Sequence, residues 1–317
     1  MLLLSLLLLT AAAPPNGERR VPSAERRAPG AEADTDTTFA VSPGTRLRLE
    51  SMNGDISVKA WDRNQVRVQA VHSRRDQVRI SLAGSVLRIE ATGRFGPAAE
   101  ADFDLTVPAW MGLTLEGLNG SIAVEGVRAP LEISTLNGDV TVAGGAETVK
   151  LASTAGGIRL SDARGRITLN GTSDEIVVSD IQGDLVVENI SGDIILQNIV
   201  SRSVDVQSVS GSIWYDGTIQ DGGRYGLYAH SGDIYLGVAE AINATFSLSV
   251  FSGRISPGFP LPGPLTDDAR GMGQRRSYRM GNGSAAVEIE VFSGSIHLLR
   301  PAELAGRLSR MLRERRH

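Results

Sequence analysis

The sequence predicts an all-β fold, a β-solenoid with two short strands per coil of about 18 to 21 residues, and three observations carry that prediction. From Leu113 to Leu196 a branched aliphatic residue returns every nine positions: Leu113, Ile122, Leu131, Val140, Val149, Ile158, Ile167, Ile176, Leu185 and Ile194. Two residues after each stands another: Leu115, Val124, Ile133, Val142, Leu151, Leu160, Leu169, Val178, Val187 and Leu196. A pair with one residue between its members has period two, so each pair marks a short strand with both members on one face. Turn residues precede the pairs at Asn119-Gly120, Asn137-Gly138, Ala155-Gly156, Gly165, Gly183 and Ser191-Gly192. Alternate glycines recur eighteen residues apart, so one superhelical turn holds two strands and two corners. Such a unit buries its apolar face only by stacking on its neighbours.

The chain divides accordingly. Residues 1–13, with the run Leu2-Leu3-Leu4-Ser5-Leu6-Leu7-Leu8-Leu9 and then Thr10-Ala11-Ala12-Ala13, have the shape of a signal peptide and are too short to span a bilayer. Residues 14–38 carry Pro, Ala, Glu, Arg and Asp with almost no large apolar side chain and read as a disordered linker. Residues 39–298 form the solenoid. Within it, residues 39–112 are irregular strands that cap its amino-terminal end, where an uncovered sheet edge would invite aggregation. Residues 113–298 are regular coils, interrupted at 257–283 by a Pro- and Gly-rich loop insertion expected to be disordered or loosely packed on a sheet face. Beyond Leu196 the corner Ser210-Gly211, Ser231-Gly232, Ser252-Gly253 and Ser293-Gly294 stays constant, while extra residues lengthen the opposite corner. Residues 299–317 change period: Leu304, Leu308, Met311 and Leu312 fall on one face of a basic amphipathic helix or tail. That helix is expected to cap the last coil; the alternative is weak contact with an anionic membrane surface.

The net charge of −4 and the pI near 5.7 argue against general nucleic-acid binding, which needs a basic surface. There are no cysteines, hence no lipid-anchoring cysteine and no disulfide, so sheet stacking supplies the stability.

Several segments together resemble a known bacterial family. These are Leu49-Glu50-Ser51-Met52-Asn53-Gly54-Asp55-Ile56-Ser57-Val58 followed by Trp61-Asp62, then Phe103-Asp104-Leu105-Thr106-Val107-Pro108, and the repeated Asn-Gly or Ser-Gly-Asp-Ile corners. The chain from Phe39 to Leu298 is similar to exported β-strand-repeat proteins grouped as putative adhesins, a family of unknown function. The resemblance implies an exported solenoid at the cell envelope, in the periplasm or at the surface. It brings no catalytic residues.

No metal or cofactor is expected. The four histidines, His72, His230, His297 and His317, lack ligand spacing to one another, and no Gly-x-Ser-x-Gly elbow occurs. The corner aspartates Asp139, Asp193 and Asp233 stand singly, whereas calcium takes six or more oxygens, so they read as solvated turn residues. The residue between the members of each pair points outward, and these residues form no catalytic cluster; no enzyme is expected. One outward row contains Val177, Ile195, Trp214 and Tyr235 in four consecutive coils, an apolar ridge about 15 Å long. Two readings of it stand. Either the 257–283 insertion or the carboxy-terminal helix covers it, or it binds an envelope protein or glycan, with Asp193, Asp216 and Asp233 as flanking acceptors. The expected function is that of a non-enzymatic adhesin-like solenoid; the alternatives are a periplasmic structural or signalling scaffold and a polysaccharide-active β-helix enzyme.

Overall fold

The computed structural model describes residues 35–73, 76–93, 96–97, 100–268 and 273–314. The signal-peptide segment, the linker as far as residue 34 and the last three residues of the tail lie outside them. Within them the chain forms a β-solenoid. On one face Leu113–Asn119, Leu131–Asn137, Thr148–Ala155 and Arg164–Gly171 stack as parallel strands. On the other, Ile122–Glu125, Val140–Ala143 and Ile158–Ser161 do the same. The register pairs Leu131 with Val149 and Val140 with Ile158, so every aliphatic pair sits on the next. All twenty members of the nine-residue series are at most 3% exposed and fill the space between the faces.

The two corners are built differently. At the Asn-Gly and Ser-Gly corner, a Cβ on Gly138 would run into the carbonyl oxygen of Gly120, and one on Gly211 into that of Gly192. At these glycines the backbones pack with no space for a side chain. At the other corner Gly126, Gly144, Asp162, Asp180 and Asn198 all have positive φ. Asp and Asn tolerate the left-handed region better than other side chains, so the corner survives the loss of glycine. In the next coils the strands run through this corner unbroken, as Ile176–Ser191, Ile194–Ser210 and Ile213–Ser231.

Both ends depart from sequential stacking. Ala285–Ser293 inserts between Ile213–Ser231 and Ala244–Ser252, so the last coil of the chain is the penultimate coil in space. The outermost coil is then edged by Gln274–Met280, antiparallel to Ala244–Ser252, with Thr266–Asp268 antiparallel beyond it. The expectation of a disordered or loosely packed 257–283 insertion is corrected: much of it is an antiparallel hairpin that closes the end. At the other end Arg46–Asn53 lies between Val86–Gly93 and Leu113–Asn119. The strand Thr35–Ala40 pairs antiparallel with Gln65–His72, so ordered structure begins inside the stretch expected as linker. Its side chains are mostly polar, and it is held through the backbone ladder and the Arg67–Asp36 pair, signals that composition does not carry.

Candidate binding faces

The expected ridge is present, and a helix lies on it. In stacking order the row runs Val177, Ile195, Trp214, Tyr235, His297 and Ser256. Trp214 and Tyr235 stack with centroids 3.8 Å apart, and Tyr235 and His297 with centroids 4.6 Å apart. Over them lies Pro301–Glu314, begun by a proline whose missing N–H costs nothing in a first turn. Its Leu304 and Leu308 pack with Leu299 on Ile195 and Trp214, while Met311 and Leu312 reach the rim with Val177 and Tyr235. Ile195 is 0% and Trp214 7% exposed, so the ridge is an internal interface and the covered reading holds. The helix lies along the face of the coils and does not cap the last one. Its apolar stripe is spent on the ridge, leaving Arg307, Arg310 and Arg313 exposed without an apolar face to insert beside them, so charge alone would support the alternative of membrane contact.

Two of the flanking aspartates, Asp193 and Asp233, hold the corner. Asp193 accepts the Ser212 N–H at 2.7 Å and Asp233 the Ser295 N–H at 2.8 Å, as Asp139 accepts that of Gly157 at 2.9 Å. Each carboxylate therefore caps a backbone donor of the adjacent coil. Asp233 also accepts from the Tyr235 hydroxyl at 3.1 Å, and burial, with Asp233 adding, pushes that phenol up to about 12. Asp216 lies half-buried beside the start of the helix, and burial raises its carboxyl above the usual range.

A second face went unnoticed in the sequence. The residue before each constant corner points outward, and the register stacks these residues into one row. In order it holds Met52, Leu118, Leu136, Thr154, Thr172, Ile190, Val209, His230, Phe292 and Phe251. Most are large, apolar and exposed, Ile190 at 53%, Val209 at 51% and Phe292 at 48%. Phe292 is stacked between His230 and Phe251, at 4.8 and 4.7 Å. The signal was an apolar residue two places before the corner glycine, as in Leu118-Asn119-Gly120 and Phe251-Ser252-Gly253. It falls outside the aliphatic pairs and their middle residues.

Beside this row runs a polar one: Glu50, Glu116, Ser134, Ala152, Asn170, Glu188, Gln207, Tyr228, Glu290 and Ser249. Between the two rows lies a groove. Near the amino-terminal end Met52, Leu118, Glu50 and Glu116 line a hollow of about 390 Å³. Toward the other end Ile190, Val209, Phe292, Glu188, Tyr228 and Glu290 line one of about 620 Å³. In the first hollow Arg48 bridges Glu50 at 2.8 Å and Glu116 at 3.0 Å. In the second, Glu188 and Glu290, with Asp205 and Glu288 one row further out, have no basic partner within ion-pair distance among the described residues. Burial, with Glu288, Asp205 and Glu290 adding to it, pushes the Tyr228 hydroxyl up to about 12.

A search of curated proteins finds no match. Two solved structures are similar in part. One is a putative cell adhesion protein from Clostridium sporogenes, at 11% identity, covering 83% of this chain and 98% of that one, with a TM-score of 0.21. The other is a putative adhesin from Bacteroides fragilis, at 11% identity, covering 86% and 99%, with a TM-score of 0.37. The family model described as Toastrack DUF4097 matches residues 44–299, which takes in every coil and both faces described above. The chain belongs to the Toastrack DUF4097 family.

Proposed function

We propose that this is an exported, non-enzymatic, adhesin-like solenoid that holds a partner at the cell envelope along its outer face. The observation that carries the reading is the groove between the exposed apolar row and the polar row at the constant corner. A soluble surface seldom aligns seven exposed large apolar side chains in one row, as here in runs on either side of Thr154 and Thr172, unless something binds them. The rows run straight along the solenoid, which suits an elongated partner and offers no converging set of acids and bases for chemistry. Export rests on the sequence of residues 1–13; among the described residues no helix is long and apolar enough to cross a membrane.

Of the two partner classes, protein fits better than glycan. A sugar packs its C–H groups on the negative face of an aromatic ring, and both faces of Phe292 are covered by its neighbours. Phe292 therefore presents its edge to the groove. The test is retention of the labelled full chain on isolated envelopes of the organism that encodes it, wild type against Phe251→Ser/Phe292→Ser. Retention should fall at least about fivefold in the double variant, since interface aromatics are among the residues that dominate binding. Equal retention of both proteins, or none of either, would sink the reading.

A further inference from the structure

We infer that the carboxy-terminal half of the groove takes a basic amphipathic polypeptide segment, apolar on one side and rich in Lys or Arg on the other. The inference rests on the groove being a binding face, as proposed above, and names the chemistry of its partner. Three observations carry it. Ile190, Val209, His230 and Phe292 form one wall, exposed and in register, apolar except for the imidazole stacked on Phe292. Opposite stand Glu188, Glu290, Asp205 and Glu288, whose only hydrogen bonds to neighbouring side chains among the described residues come from neutral groups: Gln207 donates to Asp205 at 3.0 Å and Tyr228 to Glu288 at 3.2 Å. The nearest cation along the polar row is Arg275, on the edge strand beyond Ser249.

Charge separates this occupant from the others. A second copy of the chain would set four carboxylates against four, and an anionic membrane would meet the same repulsion. A basic segment meets an unneutralised wall, and its apolar side covers the row that water now touches. From Thr172 to Phe251 the row crosses six strands, about 24 Å at 4.8 Å per strand, which a helix of about 16 residues spans.

The test uses the full chain and a fluorescein-labelled helical peptide of about 16 residues, with Leu on one face and Lys on the other, followed by anisotropy. The wild type should bind it and should lose at least about tenfold in affinity between about 50 and 300 mM salt. Glu188→Gln/Glu290→Gln, which keeps shape and removes charge, should weaken binding about tenfold and flatten the salt dependence. Phe251→Ser/Phe292→Ser should weaken it while leaving the salt dependence steep. Equal binding by the Gln variant, equal binding of a Leu/Glu peptide of the same pattern, or displacement by a neutral oligosaccharide would overturn the inference. Loss of envelope retention in the Phe variant with no peptide binding by the wild type would overturn the basic partner alone. Peptide binding without envelope retention would instead overturn the envelope reading.

Discussion

Phe251 stacks on Phe292 with ring centroids 4.7 Å apart and planes 5° from parallel, and Phe292, the later residue, is the one nearer the middle of the solenoid. The far side of Phe292 stacks on His230. This order follows from the insertion of the last coil between two earlier ones. It makes a direct prediction in a chain with no cysteine of its own. His230→Cys/Phe292→Cys places the new thiols on adjacent strands and should oxidise to a disulfide. His230→Cys/Phe251→Cys places them two strands apart, about 9.6 Å, beyond the roughly 7 Å that a disulfide spans. Non-reducing electrophoresis after mild oxidation distinguishes them, and the reverse result would mean that the coils stack in sequence order.

The corner glycines divide into those the stack requires and those it does not. Gly138 has a φ of 149° and no space for a Cβ below the Gly120 carbonyl, so Gly138→Ala must push two coils apart. Backbone strain and displaced packing together should cost about 3 kcal/mol or more. Gly306 lies within the helix with open space around it, and Gly306→Ala should stabilise helix docking by about 0.5–1 kcal/mol through propensity alone. Urea midpoints for the solenoid and proteolysis rates for the helix are the measurements; a neutral Gly138→Ala would show that the corner has room for a Cβ.

The regular coils were legible in the sequence because burial there acts on every coil in the same way. Leu131 and Val149 meet the same core, and one period describes both. The order of the terminal coils was not legible. Ile234 pairs with Ile296 and not with Ile255, and the three carry equivalent apolar patterns, so periodicity cannot rank them. The ridge at Trp214 was found because the outward residue of each pair was read as a row. The row at Phe292 was missed because it lies past the aliphatic pairs, where the strand continues outward-facing to the Ser-Gly turn. Charge partners were illegible as well: Arg48 bridges Glu50 and Glu116, whereas no basic side chain among the described residues pairs with Glu188, and only cross-strand register separates the two cases.

The helix is held by two leucines and should detach when one is cut back. Leu308 is 2% exposed against the Trp214 ridge, and Leu308→Ala should cost about 2–4 kcal/mol of docking. A free helix of this length is marginal in water, so detachment and unfolding of the segment should coincide. The coils do not depend on it. Trp214 should then become exposed and shift its fluorescence to the red, with faster cleavage at Arg307 and Arg310, while strand circular dichroism stays constant. Loss of the strand signal together with the helix would make the segment part of the core and not a cover.

Beneath the same helix His297 should make that docking sensitive to pH. Burial lowers the pKa of its imidazole below the ordinary histidine value, Asp233 opposes the shift and Arg307 reinforces it. The unfolded chain therefore takes up a proton more readily than the folded one, and stability rises with pH through the window between the two values. Its contribution is complete above about pH 6.5 and declines as pH falls through the lowered folded value. The raised carboxyl of Asp216 has the opposite sign, but it is common to a variant that changes only the histidine. Subtracting the stability of His297→Gln from that of the wild type between about pH 5.5 and 7.5 should leave a difference that favours the wild type less as pH falls. The Tyr235 stack should hold the neutral imidazole in place throughout the upper part of that range. A flat difference would mean that the Asp233 carboxylate at 3.8 Å cancels the effect of burial, and one that grows on acidification that it outweighs burial; either would overturn the prediction.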